Sequence, residues 1–176
     1  MSARDTLYDL IDELKVAMLT TRRRDGDLRS RPMATQQAAA GADLWFVTRR
    51  DSAKLAEITH DPHVNLAYYR DGTSEWVSVS GTAIVTDDRA TIAALYQPDW
   101  SLWFGKEEGG DPRYGTADDP RMVLIGVTVT AAEFLSIDSP RAVVLFELVK
   151  GWVTGQEPEL GEAHRVGPAP RPTSRS

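Results

Sequence analysis

The sequence contains no cysteine, which excludes disulfides, thiolate catalysis and cysteine-ligated metal together. A reducing compartment suits such a chain, and a cytoplasmic location is expected. Histidine is scarce as well. His60 and His63 flank an Asp61-Pro62 helix stop with no further ligand nearby in sequence, so they read as an exposed helix end rather than a metal site. Excess positive charge is also lacking. The net charge is −6, which disfavours nucleic acid as a partner. No apolar run approaches the ~20 residues of a membrane-spanning helix. Residues 1–5 are followed by no apolar stretch of the signal-peptide kind, so neither a membrane partner nor export is expected. Gly105-Lys106-Glu107 lacks the hydroxyl residue and glycines of a phosphate-binding P-loop, and no Gly-x-Ser-x-Gly elbow occurs. Asp87-Asp88 and Asp118-Asp119 read as helix-start and loop carboxylates rather than an acid/base pair.

The chain itself is patterned for one domain. Leu7, Leu10, Ile11 and Leu14 form the stripe of an amphipathic helix over 4–14, with Ser2 as its cap. Residues 16–21 are extended. Asp25-Gly26 predicts a type I′ hairpin turn, a return strand over 28–38, and a second turn near Gly41 before a strand over 44–48. These three strands are expected to form a meander. A short helix fits 52–60, with Leu55 and Ile58 facing inward and Ala56 a further candidate, and Asp61-Pro62 ends it. Strands follow over 64–69 and 75–86, separated by an Asp71-Gly72 hairpin.

In the second of these strands Val77, Val79, Gly81, Ala83 and Val85 share one face, fit for a barrel interior. Trp76, Ser78, Ser80 and Thr82 share the other, which suits a ligand or subunit interface. A helix is predicted over 88–96, and a long loop over 98–120 around a short helical 100–104 segment. Trp100 and Trp103 there read as packing or interface residues. Residues 122–137 predict a strand bulged near 130–132. Val144, Leu145, Leu148, Val149 and Trp152 have helical spacing over 140–155. The proline- and serine-containing tail over 161–176 is expected to be disordered. The domain therefore spans 1–160, an antiparallel β-barrel with peripheral helices of the all-β or α+β class.

Basic residues crowd the first third: Arg22, Arg23, Arg24, Arg29, Arg31, Arg49, Arg50 and Lys54. They make either solvated hairpin ends or a local anion site. Lys54 falls in the first turn of a helix, where a cation is normally disfavoured. Free N–H groups at that helix start, near Ser52, form an anion cradle, and Arg31 on a neighbouring strand offers a second charge-assisted contact. Pro32 removes a ladder donor, so its strand is an edge, a bulge, or a place where a ligand lies alongside.

Ser30-Arg31-Pro32-Met33, then Trp45-Phe46-Val47-Thr48, Asp51-Ser52-Ala53-Lys54-Leu55 and Glu75-Trp76-Val77-Ser78-Val79-Ser80-Gly81, in that order, resemble the general stress protein branch of the pyridoxamine 5′-phosphate oxidase-like family. The likeness runs to about Val166. It implies a split β-barrel that binds FMN, a homodimer with flavins at the subunit interface, and a small-molecule redox partner. By that resemblance Arg31, Pro32, Met33, Ala34, Thr35 and Gln36 run beside the flavin ring. Val47 and Thr48 form the next contact pair, and Ser52, Ala53 and Lys54 the phosphate turn, with Arg31 as its other cation. Trp76 stands where the oxidases place a glutamine, with Ser78 as its neighbour. Leu135 replaces a tryptophan of that branch, and the 105–118 loop is longer than usual. Residues that hold pyridoxamine phosphate have no convincing match, which disfavours that activity. The expectation is a flavin-dependent oxidoreductase acting on an unidentified small substrate, with no catalytic residue assigned. Flavin or deazaflavin buffering and a cofactor-free interaction module are the alternatives.

Overall fold

Ser2 opens the first helix, α1 (Ala3–Leu14), through a capping box: its hydroxyl accepts from Asp5 N–H while the Asp5 carboxylate takes the Ser2 N–H. The computed structural model describes residues 2–105, 110–137, 162–168 and 171. The helix predicted over 140–155 lies outside the described residues. After α1 come β1 (Val16–Arg22), β2 (Leu28–Ala34), β3 (Leu44–Arg49), α2 (Ala53–His60), β4 (His63–Tyr69) and β5 (Trp76–Thr86). The chain continues through α3 (Arg89–Leu95), α4 (Trp100–Phe104), β6 (Met122–Ser136) and β7 (Glu162–Val166). Among the described residues no helix is long and apolar enough to cross a membrane.

One antiparallel sheet runs in the order β2-β1-β4-β5-β6-β3, and β7 pairs with the far half of β6. Alternation along β1, β4 and β5 sends Ala17, Leu19, Leu66, Val77 and Val79 into the core beneath α1, as the period of two requires. Val85, assigned to that inner face, is exposed instead, because β5 has run past the core there. The bulge predicted near 130–132 is present. Ser80 faces Ala131 while Gly81 faces Val129, leaving Thr130 as the extra residue. Gly81 is needed at that point, since a Cβ there would lie 2.6 Å from the Thr128 carbonyl oxygen.

Four further expectations are corrected. β1, β2 and β3 do not form a meander: β3 pairs with β6, in register Trp45↔Gly126, at the opposite end of the strand order from β2. The chain passes from β2 to a neighbouring β3 without a ladder between them, and the ladder groups of β3 are satisfied by β6, far away in sequence. The β1–β2 turn is not type I′. Gly26 has φ +93°, but Asp25 has no positive φ, and Gly26 N–H closes a turn on Arg23 O at 3.0 Å, so one glycine serves a longer loop. In α2, Ala56 is exposed and Glu57 is buried in its place. Finally, residues 162–166 form a strand rather than part of a disordered tail. Its backbone completes the free edge of β6, and Arg165 meets Glu133 across the pair.

Candidate functional site

β2 and β3, the two ends of the strand order, lie side by side without a ladder between them. Gln36 N–H donates to Trp45 O at 2.8 Å where the two converge. The split leaves a groove of about 300 Å³. Pro32, Met33, Ala34 and Gln36 line it from β2 and its continuation, Val47 and Thr48 from β3, and Trp100, Trp103 and Phe104 from α4. Pro32 is thus on an edge strand that faces a cavity, where its missing donor costs no ladder bond. Trp100 is buried and donates from Nε1 to Gln36 Oε1 at 3.0 Å, which fixes α4 against the strand end. Trp103, by contrast, is 80% exposed at the groove mouth.

Thr48, which lines this groove, also meets Lys54 of the expected phosphate turn. Lys54 Nζ donates to Thr48 Oγ1 at 2.8 Å and to Ser52 Oγ at 2.6 Å. Ser52 precedes α2 without capping it through its side chain, and Ala53 begins the helix in the open. Lys54 differs from five of its basic neighbours. Arg22, Arg23, Arg29, Arg49 and Arg50 contact Asp61, Asp25, Glu57, Asp51 and Asp87 respectively, so most of the basic cluster is neutralised locally. Lys54 is half-buried and meets only hydroxyls among the described residues. Burial, and next the nearby Arg31, hold its pKa below the ordinary lysine value.

Arg31 is near enough to Lys54 to act on its charge, and it is already engaged. Its Nη2 donates to Glu57 Oε2 at 2.7 Å, and its Nη1 donates to Thr21 Oγ1 at 2.5 Å and to Leu19 O at 3.3 Å. Glu57 was not among the residues singled out from sequence. It follows Lys54 by three on the same helix, but the apolar pattern marked Leu55, Ile58 and Ala56 as inward and not position 57. Burial pushes the Glu57 carboxyl up, but the hydrogen bonds from Thr21 and Arg31 outweigh it and leave the pKa below the ordinary value.

The remaining candidates divide. Thr35 turns toward Tyr68, the two hydroxyls sharing a hydrogen bond at 2.8 Å. Trp76 and Ser78 are not brought to the groove of their own chain. They lie on the outer sheet face, where Ser78 Oγ accepts from Asn65 Nδ2 at 3.0 Å and Leu135 faces Trp76 across the ladder. That face nonetheless begins at the groove. In register, Pro32 sits beside Met18, Met18 beside Ala67, and Ala67 beside Ser78. Val16, Met18 and Tyr69 are exposed along it.

A sequence profile of a single family matches residues 2–159, from α1 through β6 and beyond. The chain belongs to the pyridoxamine 5′-phosphate oxidase like family. A curated relative within reach of this family member is protein bli-3 of Neurospora crassa, 30% identical over 154 residues, covering 86% of this chain and 73% of bli-3. Among solved structures, one of the general stress protein 26 type from Jannaschia sp. CCS1 superposes with a TM-score of 0.71 at 22% identity, covering 93% of this chain and 96% of that one. The general stress FMN/FAD binding protein of Xanthomonas citri gives 0.61 at 24% identity, covering 78% of this chain and 90% of its own. These likenesses establish the split-barrel fold of the pyridoxamine 5′-phosphate oxidase like family for this chain.

Proposed function

We propose that this protein is a flavoprotein of the general stress type that binds FMN in the groove between β2 and β3. The observation that carries this reading is Lys54: a half-buried ammonium, held by Thr48 and Ser52, that has hydroxyl partners and no carboxylate in contact among the described residues. A phosphate would satisfy it, together with the free N–H groups at Ala53 and the start of α2. The ring would lie along Pro32, Met33 and Ala34 and against Val47, with Gln36 at its far end.

The second half of the reading is a homodimer. The outer face that starts at Pro32 is apolar through Met18, Val16 and Tyr69, and a second copy seated there would close the groove. That copy would bring its own Trp76 and Ser78 toward the cofactor, which explains their distance from the groove of their own chain. When bound, a flavin supplies hydride and electron transfer, while the protein supplies binding, orientation and exclusion of water. The substrate is then a small redox partner that enters beside Trp103, and we take the protein to work in the cytoplasm.

Purified protein tests this directly. Yellow colour, flavin absorbance and tighter binding of FMN than of riboflavin are expected. Colourless protein that takes up neither ligand would contradict the reading. Turnover with NAD(P)H and an electron acceptor would separate an oxidoreductase from a flavin-holding protein.

A further inference from the structure

Glu57 is a carboxylate almost removed from solvent, on the same face of α2 as Lys54 and one turn further on. Such a group is costly to bury unless paired and hydrogen-bonded. Here it closes a ring of three side chains. Thr21 Oγ1 donates to Glu57 Oε2 at 2.6 Å, Arg31 Nη2 donates to the same oxygen at 2.7 Å, and Arg31 Nη1 donates back to Thr21 Oγ1 at 2.5 Å. Arg29 adds a weaker contact to Oε1 at 3.7 Å. Among the described residues the carboxylate meets hydroxyl and guanidinium groups, and its shortest charged contact is to Arg31.

What the ring leaves open is as informative as what it holds. A guanidinium has five N–H donors. Three of those of Arg31 go to Glu57, Thr21 and Leu19 O, and two are without a partner among the described residues. The engaged groups anchor the side chain, and the unengaged ones are available to a ligand. Arg31 and Lys54 are also like charges close enough to disfavour one another. The negative charge of Glu57 beside them offsets that repulsion.

On the FMN reading given above, we propose that Glu57 is a positioning residue for the phosphate corner, which acts by fixing Arg31 so that its unengaged N–H groups and Lys54 converge on one anion. The claim has a sign that simple electrostatics does not share. Removing a negative charge near a phosphate should tighten phosphate binding, whereas removing a positioning residue should weaken it.

The experiment compares dissociation constants for FMN and riboflavin, read from quenching of flavin fluorescence, in the wild type, Glu57→Gln, Arg31→Ala and the double variant. Glu57→Gln is expected to weaken FMN about tenfold, near the worth of one charge-assisted hydrogen bond, and to leave riboflavin unchanged. In the Arg31→Ala background the same substitution should no longer weaken FMN. Unchanged or tighter FMN binding in Glu57→Gln would overturn the proposal, as would an equal loss in the absence of Arg31. Should Glu57→Gln fail to fold, Thr21→Val removes one member of the ring. A smaller FMN-selective loss is then expected, and no loss overturns the proposal. Wild-type protein that fails to prefer FMN to riboflavin would overturn the underlying phosphate reading before any variant is made. The two failures are therefore distinguishable.

Discussion

Trp100 Nε1 donates to Gln36 Oε1 across 3.0 Å, and this bond ties α4 to the end of β2 and gives the groove its second wall. The side-chain amide of Gln36 also donates to Ala34 O at 2.9 Å, so the same residue braces the strand that borders the cavity. Trp100→Phe keeps the ring packing and removes the donor. A loss of about 1 kcal/mol in urea unfolding is expected, the usual worth of one such bond. Full wild-type stability would show that α4 is held by apolar packing alone.

Trp103 separates stability from binding. Because it is 80% exposed, Trp103→Ala should change stability by no more than about 0.5 kcal/mol. It lines the groove, however, and a several-fold loss of flavin affinity is expected by titration. A variant that binds flavin as the wild type does would place Trp103 outside the site.

Gly81 is where the bulge lets β5 approach β6. A methyl group there would lie 2.6 Å from Thr128 O and 2.7 Å from Val127 Cγ1, and the nearer of these is backbone. Gly81→Ala should cost about 1–3 kcal/mol, as overpacking commonly does. A melting temperature equal to that of the wild type would mean that the bulge relaxes freely.

The alternation of Val77 and Val79 against Trp76 and Ser78 was legible in sequence because the period of two is local. So were the Ser2 cap, the turn glycine at position 26 and the bulge near Thr130. The placement of β3 was not. Trp45 and Phe46 say that a strand is buried, but which edge it joins depends on Gly126, far along the chain. Similarly, Ala163-His164-Arg165-Val166 looks like solvated tail until β6 offers it an open edge. In the site, Lys54 was legible as a cation in the wrong place on a helix. Glu57 was missed because the apolar spacing of Leu55 and Ile58 leaves position 57 off the inward face, where a carboxylate reads as solvated. Thr21 and Arg31 reveal it only in three dimensions.

Glu57 also sets a pH dependence. Its pKa is depressed in the folded protein, so the unfolded state binds the proton more readily. The stabilisation is therefore present above the ordinary glutamate value of about 4.3 and is lost as the pH falls through the lower folded value. The stability gap between wild type and Glu57→Gln, followed by urea midpoints from neutral to acid pH, should narrow below about pH 4. A gap that stays constant would mean that Glu57 does not titrate differently on folding.

The outer sheet face tests the assembly. Met18→Asp places a charge in the middle of the row Pro32, Met18, Ala67 and Ser78. Sedimentation velocity should show wild-type dimers and a variant shifted to monomer, with flavin affinity reduced alongside. A variant that sediments as the wild type does would move the subunit contact elsewhere.

Most direct is the ammonium held by Thr48 and Ser52. With Lys54→Ala, the dissociation constant for FMN should rise at least about tenfold, while that for riboflavin, which has no phosphate, should hold within about twofold. An equal rise for both ligands, or none for either, would contradict the placement of a phosphate at Lys54.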